Sequence, residues 1–160
     1  MAPIRWWPLV VFFGALFPPT SANECVFQEI LVVHNQLELD AGTHGCTSIN
    51  GSIYVETDFA GPLTLSDISS IFGRFYVLDG IRSRTGLDPA VNTGLTTFEI
   101  KDLQQIDTLG IYDAVALRSI SLPQLTSVND LYVEGYKMDT LDLPSLTSAN
   151  WLRLYGNIST

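Results

Sequence analysis

Two stretches of this chain, "LPQLTSVNDLYV" at 122–133 and "LPSLTSANWLRL" at 143–154, are near-copies 21 residues apart. A repeat this short constrains the fold more than any other feature. One such unit cannot bury its own apolar face, so it must stack on its neighbours. The pattern extends backwards along the chain. Its apolar positions are Leu146, Ala149, Leu152 and Leu154, then Leu125, Val128, Leu131 and Val133 one copy earlier. Before these come Leu103, Ile106, Leu109 and Ile111, then Ile68, Ile71, Phe75 and Val77, and first Cys46, Ile49, Ile53 and Val55. The steps between copies are 22, 35, 22 and 21 residues. The long step is one unit plus an inserted surface loop at about 80–94, "GIRSRTGLDPAVNTG", rich in Gly, charge and turn residues.

A second apolar pair precedes each later copy: Leu63 and Leu65, Phe98 and Ile100, Ile120 and Leu122, Leu141 and Leu143. Each unit therefore holds two short segments that alternate with period two, which is a strand signal. No segment of ten or more residues after position 22 has helical periodicity. The expected fold is all-β: a right-handed parallel β-helix of about five coils of 21–22 residues, spanning 23–160. The competing architecture at this period is a leucine-rich-repeat solenoid, but "LTSVNDLYVEGYKM" lacks that motif's Asn and no helix fills the return path. After the second core position of each copy stand Asn50, Phe72, Asp107, Asn129 and Asn150, with Gly51 and Gly73 following in the first two. Four of these five are polar turn formers, as a stacked corner requires; Phe72 breaks the column. The first two copies also carry one extra corner residue, so the corner is expected to change along the stack.

Residues 1–22, "MAPIRWWPLVVFFGALFPPTSA", combine one Arg, an apolar run and a small-residue end. This is the layout of a secretory signal peptide. Secretion makes a disulfide between Cys25 and Cys46 the expected state of the two cysteines. Closing that loop contributes roughly 3 kcal/mol on the chain-entropy model. Two sequons, at Asn50 and Asn157, are candidate glycosylation sites. The net charge of −9 offers no basic surface to displace counterions, so a nucleic-acid partner is excluded.

The segments "CTSINGSIYV", "ISSIFGRFYV", "LQQIDTLGI", "LPQLTSVNDLYV" and "LPSLTSANWLRL" resemble the receptor L-domain pattern. In particular they are similar to fungal GPI-anchored cell-wall organisation proteins. The resemblance covers 23–157. It implies a non-enzymatic surface glycoprotein, with cell-wall polysaccharide or wall proteins as partners and no cofactor. Members of that family run on into further coils, a Ser/Thr-rich stalk and an apolar GPI signal. The last residues here, "LYGNIST", carry no such signal. The expectation is thus a truncated or partial member. Its final coil would open Leu146, Leu152 and Leu154 to solvent and self-associate.

A β-helix can also carry a polysaccharide-active enzyme, which needs converging carboxylates. The best pair is Asp67 and Asp102, expected to stack on successive coils with Lys101 alongside, but Asp at this corner reads first as a turn residue. His34 and His44 lie near the cysteines without metal-ligand spacing, and no Ser/His/Asp arrangement or phosphate loop is present. No catalytic residue, metal or cofactor is therefore assigned. A third reading is a ligand-binding fragment of a receptor ectodomain. One outward position per coil holds Tyr54, Tyr76, Gly110, Tyr132 and Arg153. Tyr54, Tyr76 and Tyr132 form a candidate glycan-binding face, because aromatic rings pack on the apolar faces of sugars. The plainer reading is that the column stacks on itself.

Overall fold

The computed structural model describes residues 23–77 and 94–156. The signal-peptide reading of 1–22, nearly all of the insertion at about 80–94, and Asn157 lie outside the described residues. The described chain is a parallel β-solenoid. Its strands are β1 (Glu24–Val26), β2 (Leu31–Val33), β3 (Ser48–Asn50), β4 (Ile53–Val55), β5 (Gly61–Leu65) and β6 (Ser70–Val77). They continue as β7 (Leu95–Ile100), β8 (Gln105–Ile111), β9 (Ser119–Ser121), β10 (Ser127–Gly135), β11 (Thr140–Asp142) and β12 (Ser148–Gly156). One helix, α1 (Gln36–Thr43), lies between β2 and β3.

Two parallel sheets wrap one core. The long sheet runs β1-β3-β6-β8-β10-β12, with β2 and β4 pairing alongside and joining at β6; the short sheet runs β5-β7-β9-β11. A sheet, not a helix, fills the return path, which sets the leucine-rich alternative aside. The register follows the sequence repeat. Ile49, Ile71, Ile106, Val128 and Ala149 are successive cross-strand partners, and so are Val55, Val77, Ile111, Val133 and Leu154. Leu63, Phe98, Ile120 and Leu141 align in the short sheet. Registration holds across the 35-residue step, since Ser70 partners Gln105. The inward columns are dry: Ile49, Phe75, Phe98, Leu109 and Val133 are fully buried, and Phe75 meets Phe98 edge-on at 5.4 Å between the two sheets.

Side-chain ladders reinforce the stack. The Thr of the "LTS" motif donates to the carbonyl of the preceding coil: Thr147 Oγ1 to Thr126 O at 3.0 Å and Thr126 Oγ1 to Gln104 O at 2.9 Å. Ser69 Oγ does the same to Thr47 O at 3.0 Å. The corner column is likewise linked, Asn150 Nδ2 to Asn129 Oδ1 at 3.3 Å and Asn129 Nδ2 to Asp107 Oδ1 at 3.4 Å. The corner changes where the extra residue ends: pairing of β6 with β8 shifts register between Ile71 and Arg74. Gly51 and Gly73 make the wider corner with φ of 150° and 149°. A Cβ on Gly73 would run into the Gly51 carbonyl.

Two features go beyond the sequence reading. A half-coil, β1 and β2, precedes the first recognised copy, pairing Cys25 with Ile49 and Val33 with Val55. The all-strand expectation also misses α1. Asn35 caps that helix by accepting from Glu38 N at 3.0 Å, while Glu38 Oε2 accepts from His34 N at 2.8 Å. The helix plugs one end of the core with fully buried Leu39. It also covers the edge of β5: the Gln36 amide donates to Thr64 O at 2.6 Å and accepts from Thr64 N at 2.9 Å. Cys25 and Cys46 form a disulfide that ties β1 to the turn after α1. At the other end of the described chain, Leu152 and Leu154 are 52% and 39% exposed and Leu146 is half-buried.

Gly73→Ala should lower stability by more than about 3 kcal/mol, because unusual φ and a backbone collision act together. Gly45→Ala, with φ of 76° and nothing within 4 Å, should cost only about 1 kcal/mol. Urea unfolding of the two variants checks the contrast.

Candidate functional site

The outer face of the long sheet is where the exposed chemistry concentrates. In a strand, alternate residues face opposite sides, so the residue between two core positions must point out. Cross-strand pairing aligns Tyr54 with Tyr76, Tyr76 with Gly110, Gly110 with Tyr132, and Tyr132 with Arg153, as the spacing predicts. The rings nonetheless form a longer ladder than this column. Tyr54 and Tyr76 lie 5.3 Å apart, Tyr76 and Tyr112 6.0 Å, Tyr112 and Tyr132 4.4 Å, and Tyr132 and Tyr155 5.8 Å.

Gly110 explains the detour. A Cβ there would sit 2.6 Å from ring atoms of both Tyr112 and Tyr76. The missing side chain leaves a slot, and Tyr112, two residues on and on the same face, leans into it. Its ring is close to parallel with that of Tyr132, at 24°. Tyr155 takes the corresponding place beside Arg153. The rings therefore pack on one another, each pair contributing about 0.5–1.5 kcal/mol beyond its buried area. The faces of Tyr112 and Tyr132 are turned towards each other.

Carboxylates flank one end of the ladder. Glu134 is clasped by two phenols: Tyr136 Oη donates to Oε1 at 2.9 Å, and Tyr132 Oη lies 3.4 Å from Oε2. Tyr136 Oη is also 3.4 Å from Asp113 Oδ1. The bond to Glu134 pushes the Tyr136 phenol up to about 12. Partial burial raises Tyr132, with Glu134 adding to it. Burial and the neighbouring Glu134 charge raise the Asp113 carboxyl.

The other expected residues fall elsewhere. Asp102 does stack against Asp67, but its Oδ2 accepts from Asp67 N at 3.1 Å and Asp67 holds φ of 64°. The pair braces a turn. It opens on a shallow depression of about 590 Å³ that His44 and Asp40 also line. Lys101 Nζ reaches Glu99 at 3.7 Å. His34 Nδ1 pairs with Asp58 at 2.9 Å, which raises the imidazole pKa. Among the described residues no three His, Cys, Asp or Glu side chains gather as metal ligands. Asn50 is exposed at its corner. The sequence reading missed Tyr112, Tyr155 and Trp151, the last lying 63% exposed on the same outer face.

Compared with known proteins, the chain is similar to protein ecm33 of Aspergillus fumigatus. The two are 26% identical over 112 residues, which is 68% of this chain and 28% of that protein. The chain thus matches less than a third of the relative's length, and the similarity supports a distant ecm33-like relationship. No family model matches the chain, and no solved structure matches it.

Gly110→Ala should part the Tyr76–Tyr112 contact and cost roughly 1–3 kcal/mol, although Ala is no worse than Gly in a strand; thermal unfolding checks this. Glu134→Gln should bring Tyr136 down towards 10, read by NMR titration. The fold stabilises the neutral Tyr136 phenol, so its contribution is complete below pH about 10 and lost as pH rises through about 12.

Proposed function

We propose that this chain is a non-catalytic β-solenoid of the fungal cell surface that contributes to cell-wall organisation. The observation that carries this reading is the aromatic outer face of the long sheet, an ordered surface repeated coil after coil. The distant similarity to ecm33 supports it. The stacked pair Asp67 and Asp102 gives no support to an enzyme, because Asp102 accepts from the backbone N–H of Asp67. In this reading residues 1–22 direct export, and the disulfide between Cys25 and Cys46 forms in the oxidising compartment. Exposed Asn50 then carries glycan. Such a protein acts by presenting surface to wall polymers or wall proteins.

The test is fractionation of the source cells into medium, cytosol, membrane and wall, with the polypeptide followed by intact mass before and after deglycosylation. The expected result is a glycosylated product in the wall or membrane fraction, with loss of the gene raising sensitivity to a wall-binding dye. A cytosolic, unmodified product, or unchanged dye sensitivity, overturns the reading.

A further inference from the structure

We propose that the outer face at β10 and β12 is a binding site for a neutral pyranose glycan, with Trp151, Arg153, Asp130 and Tyr132 holding one sugar ring. The site rests on the wall-association reading above and names the polymer class that the surface contacts.

The backbone assembles the four residues. On β12, Trp151 and Arg153 are two apart and share the outer face; on β10, Asp130 and Tyr132 do the same. Pairing sets Trp151 beside Asp130 and Arg153 beside Tyr132. Strands about 4.8 Å apart and a two-residue step of roughly 7 Å make a rectangle about the size of one sugar ring. The four residues line an open groove of about 250 Å³ with Leu131 at its floor.

The chemistry is mixed in the way sugar recognition requires. An indole that is 63% exposed gives a flat apolar surface for the C–H face of a pyranose. Arg153 lies 5.9 Å from the indole ring centre, at the outer limit of a cation–π contact, and makes no salt bridge among the described residues. Its fork donates while the Asp130 carboxylate accepts, a pairing matched by two neighbouring sugar hydroxyls, each both donor and acceptor. Anionic glycans are disfavoured: Asp130 lines the groove, Glu134 lies 3.4 Å from the Tyr132 phenol beside it, and the whole chain carries −9. The groove differs from the ladder beside it. Tyr112 and Tyr132 turn their faces to each other, whereas the Trp151 ring is 63% exposed and packs on no other ring among the described residues. A further coil stacked on β12 would cover the inward leucines and leave this outward groove uncovered.

Trp151 is the one tryptophan outside residues 1–22, so its fluorescence reports directly on the site once the leader is removed. The full chain, secreted from a eukaryotic host, is titrated with hexamers of β-1,3-glucan, β-1,4-glucan and chitin, and with an oligogalacturonate, by fluorescence and calorimetry. At least one neutral hexamer should bind and shift the emission. Trp151→Ala should weaken binding about tenfold or more and Asp130→Asn several-fold. Both substitutions are at exposed positions, and circular dichroism with thermal unfolding verifies that each variant is folded. No binding of any neutral hexamer at millimolar concentration overturns the site, as does unchanged affinity in Trp151→Ala or preference for the oligogalacturonate. Wall association is decided independently by fractionation, so a wall-located chain that binds no hexamer loses this site and keeps the broader reading.

Discussion

Everything in this structure follows from one constraint: each coil must present its neighbour with a backbone line it can hydrogen-bond in parallel, in register. Parallel strands repeat every residue of one coil directly over the next. A side chain can therefore occupy a position only if the side chains above and below it in the same column agree. Inward columns become uniformly aliphatic or aromatic, as with Ile49, Ile71, Ile106 and Val128. Hydroxyl and amide columns become ladders, because a group that donates to the coil before it sits where the next coil repeats the bond. The Thr of "LTS" and the Asn of the corner are there for this reason.

The same constraint made most of the fold legible from sequence. Columns are a periodic signal, and the strand pairings at Leu63, Phe98, Ile120 and Leu141 fall where the apolar pairs recur. What escaped the reading is what departs from the period. The half-coil of β1 and β2 shares too few apolar positions with later copies to declare itself. Helix α1 has eight residues, below the length at which helical periodicity stands out, although Asn35 and Glu38 form a capping pair that could have revealed it. The ring ladder was read one position per coil, which found Tyr54, Tyr76 and Tyr132. Tyr112 and Tyr155 were missed because the ladder steps two residues sideways. The signal for that step is Gly110, whose absent side chain asks for a neighbour's ring.

Core and surface are separable in this architecture. Inward residues supply most of the stability, and outward residues alternate with them along the same strands without sharing their columns. Tyr132 and Arg153 can change without disturbing Leu131, Val133 or Leu154, whose partners lie in other coils. The outer face of the long sheet is consequently free to carry recognition. The corner acids Asp67 and Asp102 are not: they stand where the chain turns, and the turn uses the carboxylate.

The wider corner at Gly51 and Gly73 gives way to the tighter one between the second and third full coils, and the stack runs through that change without a break. A solenoid that absorbs one extra residue per turn, and holds register across a 35-residue step, does not depend on equal unit lengths. Its axial dimension does depend on whole units. Duplicating a coil internally would lengthen the outer face by one strand spacing, about 4.8 Å, and leave the helix plug untouched. The reach of such a surface along its axis is thus quantised: it grows by whole turns, while loops of any length can bulge from its sides. A polymer lying along that axis would meet a footprint counted in coils.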